Sequence, residues 1–418
     1  MKRSRLIRWL KRHSLVPMVL VVVSVFAFAA VDLHAARDDS RWELVDLEGD
    51  REALEGLKIR GVLRDAYHST SFSVTADGVA HETELFEVYR EDPRYMALSS
   101  RIIGDHIYKV WNFEDRLLIA RQSVRDPEDT ESVMIEGYYA ATDSRGQARY
   151  GNLVEYGLAT SDGQVYYVTP TSLYYRGINV IYKLHYGAEQ SKAEPLVELD
   201  MRDNDSERSR GLEVLGLEAA GDQLVLLMTE DQEHLIIRSY DSVTGELLGE
   251  TAVRGFQPTR HSTSYLADVD AEGMKLNLAF PRHDEQLTEG QSAFTILSLD
   301  LTDGVRLLEQ MRPVFTDGFW ESWISQMAVQ HTGDQLVVAM TVRAAEEDDS
   351  PYPNDFVRPI RFMIYVFEGS ELVYRGELLT DQSDDYIYAR NSQLSNRYSP
   401  NIYRFFDRLH IERIGRDG

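Results

Sequence analysis

No cysteine occurs among the 418 residues. That excludes disulfides, thiolate metal centres, a cysteine nucleophile and a lipid-modified cysteine. Basic residues are outnumbered, 44 to 69, and only seven of them are lysine. The formal charge of −25 repels phosphate backbones and argues against a nucleic-acid partner. No G-x-G-x-x-G or Walker pattern is present, so no nucleotide is expected, and G-x-S-x-G, S-x-x-K and H-E-x-x-H are missing as well. Prolines number 12, and no low-complexity linker divides the chain. Stability must therefore come from a buried apolar core, for which 43% hydrophobic and 10% aromatic content suffice.

One long apolar run is present. Lys2, Arg3, Arg5, Arg8, Lys11 and Arg12 precede an uncharged stretch from Ser14 to Val31. A basic flank is held in the cytoplasm, so residues 1–13 are expected there and the body outside. Residues 14–31 are a transmembrane anchor or a signal-peptide core, with Ala27-Phe28-Ala29 as a cleavage pattern in the second case. Length and the long flank favour the anchor, giving a single-pass protein of the cell membrane; the alternative is a secreted one. Residues 32–40 are a short linker and 41–418 the extracytoplasmic body. The first 13 residues hold six of the 44 basic and none of the 69 acidic residues, so the exported part carries 38 − 69 = −31.

What fills the body is a repeat. Gly-Asp-Gln-Leu-Val occurs at Gly221 to Val225 and at Gly333 to Val337, each copy running into alternating apolar positions. Weaker turn-then-strand copies start at Asp115, Gly163, Met274 and Asp407, a period of roughly 50 to 60 residues. A β-patterned run precedes the turn (Val154 to Leu158, Leu212 to Leu217, Tyr265 to Val269, Ile324 to Val329). Two more follow it, the last after a tight turn such as Val243-Thr244-Gly245 or Thr302-Asp303-Gly304, so each unit has four antiparallel strands. The chain after residue 40 thus resembles β-propeller repeat proteins in general. The likeness is one of architecture, because no Trp-Asp dipeptide or kelch double glycine is present. It implies an all-β fold of six four-stranded antiparallel blades behind one N-terminal apolar helix. Five units run from about Arg101 to Thr380, and Leu57 to Val88 with Asn401 to Ile414 make the sixth. Seven is the alternative, if Arg41 to Val88 holds a blade of its own.

In such a blade the loop between second and third strands emerges at the same end as the loop to the next blade. Those loops carry Glu230 and Asp231, Asp284 and Glu285, and Glu346, Glu347, Asp348, Asp349 and Asp355. The aromatics Tyr174, Tyr175, Trp320 and Tyr352 join them. Carboxylates with aromatic rings suit a cation, a basic peptide or a sugar, although acidic loops are more often simply solvated. Asp268-Val-Asp270-Ala-Glu272-Gly273 starts like a calcium loop but has Ala279 where the bidentate glutamate belongs, so it reads as a hairpin. Asp203, Asp205 and Glu207 are the candidate weak calcium ligands; no other metal and no cofactor is expected. The preferred functional reading is a membrane-tethered, non-catalytic binding or scaffold module of the cell envelope, facing an envelope protein or a cell-wall polymer. The alternative is an extracytoplasmic hydrolase or lyase acting on glycans through loop carboxylates.

Overall fold

The computed structural model describes residues 22–26, 42–64, 68–85, 100–103, 106–113, 116–123, 128–136, 156–171, 175, 177–187, 191–201, 211–231, 233–254, 256, 265–270, 274–282, 291–315, 324–332, 335–343, 360–380 and 405–414. Residues 22–26, inside the apolar run, are helical, and among the described residues no helix is long and apolar enough to cross a membrane.

The strands in chain order are β1 (Glu43–Gly49), β2 (Leu57–Arg64), β3 (His68–Thr75) and β4 (Gly78–Leu85), then β5 (Ser100–Ile103), β6 (His106–Asn112), β7 (Arg116–Ser123) and β8 (Thr130–Glu136). There follow β9 (Leu158–Ser161), β10 (Gln164–Tyr167), β11 (Ile178–His185) and β12 (Lys192–Asp200), then β13 (Leu212–Ala220), β14 (Gln223–Glu230), β15 (His234–Asp241) and β16 (Leu247–Arg254). The rest are β17 (Leu266–Asp270), β18 (Lys275–Arg282), β19 (Ser292–Asp300), β20 (Arg306–Met311), β21 (Val314–Phe315), β22 (Ile324–Thr332), β23 (Gln335–Arg343), β24 (Ile360–Glu368), β25 (Glu371–Leu379) and β26 (Phe405–Arg413).

Among the described residues these form six antiparallel sheets. The second, third and fourth are simple meanders, β5 to β8, β9 to β12 and β13 to β16; the fifth is β17 to β20 with β21 added beside β19. The other two join the chain ends. In the first sheet β26 pairs with β2 ahead of β3 and β4, and in the sixth β1 pairs with β25 outside β22 to β24. This is a β-propeller architecture, in which repeated four-stranded sheets leave only short edges.

The repeat has a local cause. At Gly221-Asp222 only the glycine is left-handed, with φ +56, as a two-residue hairpin turn with glycine first requires. Gln223 then pairs with Ala220, and Gln335 pairs with Thr332 in the same register. Leu224 and Leu336, next along, are fully buried on the second strands of the fourth and sixth sheets, the equivalence that the two copies predict. The copies at Gly163 and Met274 also lead into second strands, β10 and β18. The other two do not. Arg116 opens the third strand of the second sheet, β6 being its second. Asp407 lies within β26, where the register shifts opposite Arg60 and Val62 and Arg408 takes φ +53, a bulge in place of a turn. Of the run Val154 to Leu158 only Leu158 enters β9; Val154 lies outside the described residues.

The core lies between sheets. Among the described residues, five clusters of buried apolar side chains join the second sheet to the third, third to fourth, fourth to fifth, fifth to sixth, and sixth to first. In the last, Phe406 of β26 packs against Phe72 and Phe362 at ring-centroid distances of 5.9 and 5.3 Å. β1 is pinned on the outside of this seam. The Tyr374 hydroxyl donates to Asp46 Oδ1 at 2.7 Å, and Arg51 donates to both Asp46 oxygens at 2.9 and 2.8 Å. The guanidinium holds the Asp46 carboxyl below its usual range, and Trp42 stacks on His81 of β4 at 5.1 Å.

Candidate functional site

A polar side chain recurs at one level of the innermost strands. In the second to sixth sheets, the last residue of the inner strand to pair across its hairpin is Ile103, Ser161, Ala220, Asp270 and Thr332. Two residues earlier in each stand Arg101, Ala159, Glu218, Asp268 and Gln330. Strand alternation puts equivalent positions on equivalent faces, so four of the five sheets present a polar side chain at one level.

Two of these positions meet. Arg101 Nη2 reaches Glu218 Oε2 at 3.5 Å, and its Nη1 donates to the Leu158 carbonyl at 2.7 Å. One guanidinium thus ties the second sheet to the third and the fourth. Glu218 Oε1 also accepts from the Tyr265 hydroxyl at 2.8 Å, which brings in the fifth. Gly216 makes the approach: a Cβ there would lie 2.2 Å from that hydroxyl and 2.8 Å from the Tyr156 carbonyl. Burial pushes the Glu218 carboxyl up, with the Arg101 charge and the Tyr265 and Arg101 hydrogen bonds opposing it. Burial beside that carboxylate holds the Tyr265 phenol well above its usual value.

Asp268 joins the fifth sheet to the sixth. Its Oδ2 accepts from the Val329 amide at 2.8 Å, and Asn277 Nδ2 donates to the Val329 carbonyl at 2.9 Å. Side chains of one sheet thereby satisfy both peptide groups on the open inner edge of the next. Ser298 Oγ donates to Asn277 Oδ1 at 2.5 Å and fixes the amide. Asp268 pairs with Asn277 across the β17–β18 hairpin, as the hairpin reading of this segment predicts; Glu272 and Gly273 lie outside the described residues. Burial raises the Asp268 carboxyl to about 6, against the Val329 amide, His410 and Asn277, with Asp270 adding to the rise.

A carboxyl raised by folding favours its protonated form. Its stabilising contribution is full below the ordinary value of 3.8 and is lost as pH rises through about 6. Asp268→Asn should therefore flatten the stability profile between pH 4 and 7 and stabilise the protein at pH 7 by up to about 3 kcal/mol. Urea titrations across that range test this; parallel curves for wild type and variant would show that Asp268 does not titrate there.

Of the loop residues singled out from the sequence, Glu230, Asp231 and Tyr175 lie in the described part. Asp231 sits in the β14–β15 turn at φ +54. Its carboxylate accepts from the Gly211 amide at 2.7 Å, and its own amide donates to the Gly211 carbonyl at 2.9 Å. Gly211 directly precedes β13, so at this sheet the loop between second and third strands and the link from the previous sheet do share one end. Tyr175 packs against the apolar cluster joining the third and fourth sheets and donates its hydroxyl to Ile178 at 3.1 Å. Tyr174, Asp284, Glu285, Trp320, Tyr352 and the acidic residues 346–349 and 355 lie outside the described residues, as do Asp203, Asp205 and Glu207. Among the described residues no cluster of His, Asp and Glu is arranged to hold a metal.

No family model and no curated protein matches the chain. Solved structures do. The β-propeller domain of the Trilobed protease from Pyrococcus furiosus aligns at 10% identity and a TM-score of 0.31, covering 66% of this chain and 70% of that one. Kuenenia stuttgartiensis hydrazine synthase gives 11%, 0.33, 65% and 70%, and the WD40 domain of SCAP from fission yeast 7%, 0.32, 77% and 72%. The propeller assignment rests on the sheet order of this chain itself.

The axial cluster was not found from sequence. Its one local signal is a charged or amide residue two places before an inner-strand turn, as in Leu-Glu-Val-Leu-Gly-Leu-Glu218.

Proposed function

We propose that the chain is an extracytoplasmic propeller of six blades, tethered to the membrane by residues 14–31, that serves as a non-catalytic binding module of the cell envelope. Six sheets in chain order, with both chain ends woven into the first and sixth, support the blade count. The basic flank and apolar run support the tether. One observation carries the module reading: the buried titratable groups of the inner strands hold sheet to sheet, Glu218 on Arg101 and Tyr265 and Asp268 on the Val329 amide. Binding then falls to the acidic loops at the Asp231–Gly211 end, which suit a basic segment of an envelope protein or a cell-wall polymer, with calcium as a weak ligand there.

The full chain in detergent should bind an immobilised oligolysine peptide, losing most of its affinity between 50 and about 500 mM salt as exposed charges are screened. Asp231→Asn combined with neutralisation of residues 346–349 should weaken binding at least about tenfold, with the melting temperature kept. Equal binding by wild type and variant would remove the acidic face as the binding surface. The glycan-enzyme alternative has Asp268 on its side, since a carboxyl near 6 can exchange protons at neutral pH. Release of reducing sugar from wall polymer, abolished by Asp268→Asn, would decide for it.

A further inference from the structure

Each four-stranded meander has two ends. The turns from first to second and from third to fourth strand lie at one, the hairpin end; the loop from second to third strand and the link onward lie at the other, the loop end. Met201, after β12, donates its amide to the Gly177 carbonyl just before β11, and Thr171 pairs with Val214 near the start of β13, so the loop ends of the third and fourth sheets coincide. Inner strands of other sheets meet at equivalent or adjacent positions, Arg101 on Glu218 and Asp268 on Val329. They run in one sense, which puts the loop ends on one side.

Exposed large apolar side chains segregate between these ends. In the second and third sheets, among the described residues, they stand at the loop end: Trp111 and Phe113 where β6 passes into β7, Met134 in the same cross-strand row as Trp111, and Ile178 opening β11. Those of the fourth and fifth sheets, Val243, Leu247, Leu248 and Leu308, lie toward the hairpin end instead. On the second sheet the contrast runs along a single face. Ile107 and Ala120 are 3% and 4% exposed, while Trp111 is 44%, Met134 42% and Phe113 45%. That face is closed except at its loop end.

The chain enters the body at the same end. Glu43, the first residue of β1, pairs with Leu379, the last residue of β25, where the link toward β26 leaves. Trp42, just before it, packs on Phe72 and His81 of the first sheet at ring-centroid distances of 5.4 and 5.1 Å. Residues 32–41 can span at most about 35 Å. The loop end is therefore held within that reach of the apolar run at 14–31.

An indole and a phenyl ring exposed together mark an interaction surface. Tryptophan prefers the headgroup boundary of a bilayer, and a tether supplies the local concentration at which a small apolar area suffices to dock. Arg116, over the Phe113 ring at 5.4 Å, adds a guanidinium beside the rings. The negative charge of the exported part opposes adsorption to anionic lipid, so the contact is an apolar one.

We propose that the loop end of the second and third sheets rests on the outer surface of the membrane that holds the anchor, with Trp111 and Phe113 seated at the headgroup boundary. This rests on the tether and the ring proposed above. The fourth sheet has no exposed large apolar side chain at its loop end among the described residues, so Asp231 stays in water and the acidic loops remain open to a basic partner.

A chain without cysteine accepts a single label directly. Phe113→Cys and, at the hairpin end, Val243→Cys are to carry a nitroxide in the full chain reconstituted into phosphatidylcholine vesicles. Power-saturation EPR compares collision with oxygen, which concentrates in lipid, and with a water-soluble nickel chelate. The oxygen-to-nickel ratio should be at least about fivefold higher at 113 than at 243. Adding Trp111→Ser should lower it at least about twofold, with the melting temperature unchanged. Flotation of the same vesicles reads the tether by itself. A chain that floats with equal ratios at the two sites keeps the tether and overturns the docking; a chain that does not float overturns both. A label at 113 shielded from oxygen and chelate alike would be covered by the chain's own residues or by a second copy, and a ratio unmoved by Trp111→Ser would take the contact away from the rings. Either result overturns the proposal.

Discussion

Deleting residues 405–418 should abolish cooperative folding. The deletion removes β26, strips β2 of its partner along the inner edge of the first sheet, and takes Phe406 and Ile411 out of the cluster that joins the first and sixth sheets. Losing burial of those two side chains alone costs about 5 to 10 kcal/mol. That is comparable with the whole stability of an ordinary domain, about 5 to 15 kcal/mol. The point variant Phe406→Ala should cost about 3 to 5 kcal/mol and leave the transition two-state. Calorimetry and urea unfolding read both. A truncated protein that melted in one sharp transition at the wild-type temperature would show that the end-to-end pairing does not hold the ring.

Removing the Glu218 side chain should have the next largest effect. Glu218→Ala leaves the fully buried Tyr265 hydroxyl facing an apolar void and Arg101 without its carboxylate. Breaking such a cluster from one side costs about 3 to 5 kcal/mol. Glu218→Gln keeps an acceptor for Tyr265 and removes a buried charge, so it should lie within about 1 kcal/mol of wild type. The contrast between alanine and glutamine is what identifies the acid as a structural tie. Equal losses for the two would mean that ionisation, rather than hydrogen bonding, is what the site needs.

The sequence made the hairpins legible because turn chemistry is local. The left-handed Gly221 and Gly163, each followed by alternating apolar residues, mark the step from first to second strand in the fourth and third sheets. The sixth sheet's extra strand escaped notice because β1 buries only Leu44 and draws its partner from β25, more than 320 residues away in the chain. Asp115 and Asp407 were misplaced by one strand for a related reason: Asp-Arg-Leu followed by alternation looks the same before a third strand or inside a bulged first strand. Which strand it becomes depends on neighbours distant in sequence. The same distance hides the axial cluster, since Arg101 and Glu218 are 117 residues apart. The acidic loops were conspicuous in composition, yet their common end is read from backbone geometry, where Asp231 bonds Gly211 and Met201 bonds Gly177.

Weaving β26 beside β2 also fixes an order of events in synthesis. β2 ends at Arg64 and β26 starts at Phe405, so 405 − 64 = 341 residues separate their facing ends. Closing so long a loop is slow, because its entropy must be lost before the new contacts repay it. Until the last residues emerge, the inner edge of β2 is an unpaired strand open to any passing chain. Synthesis that stalls late would therefore be expected to release an aggregation-prone intermediate instead of a smaller propeller.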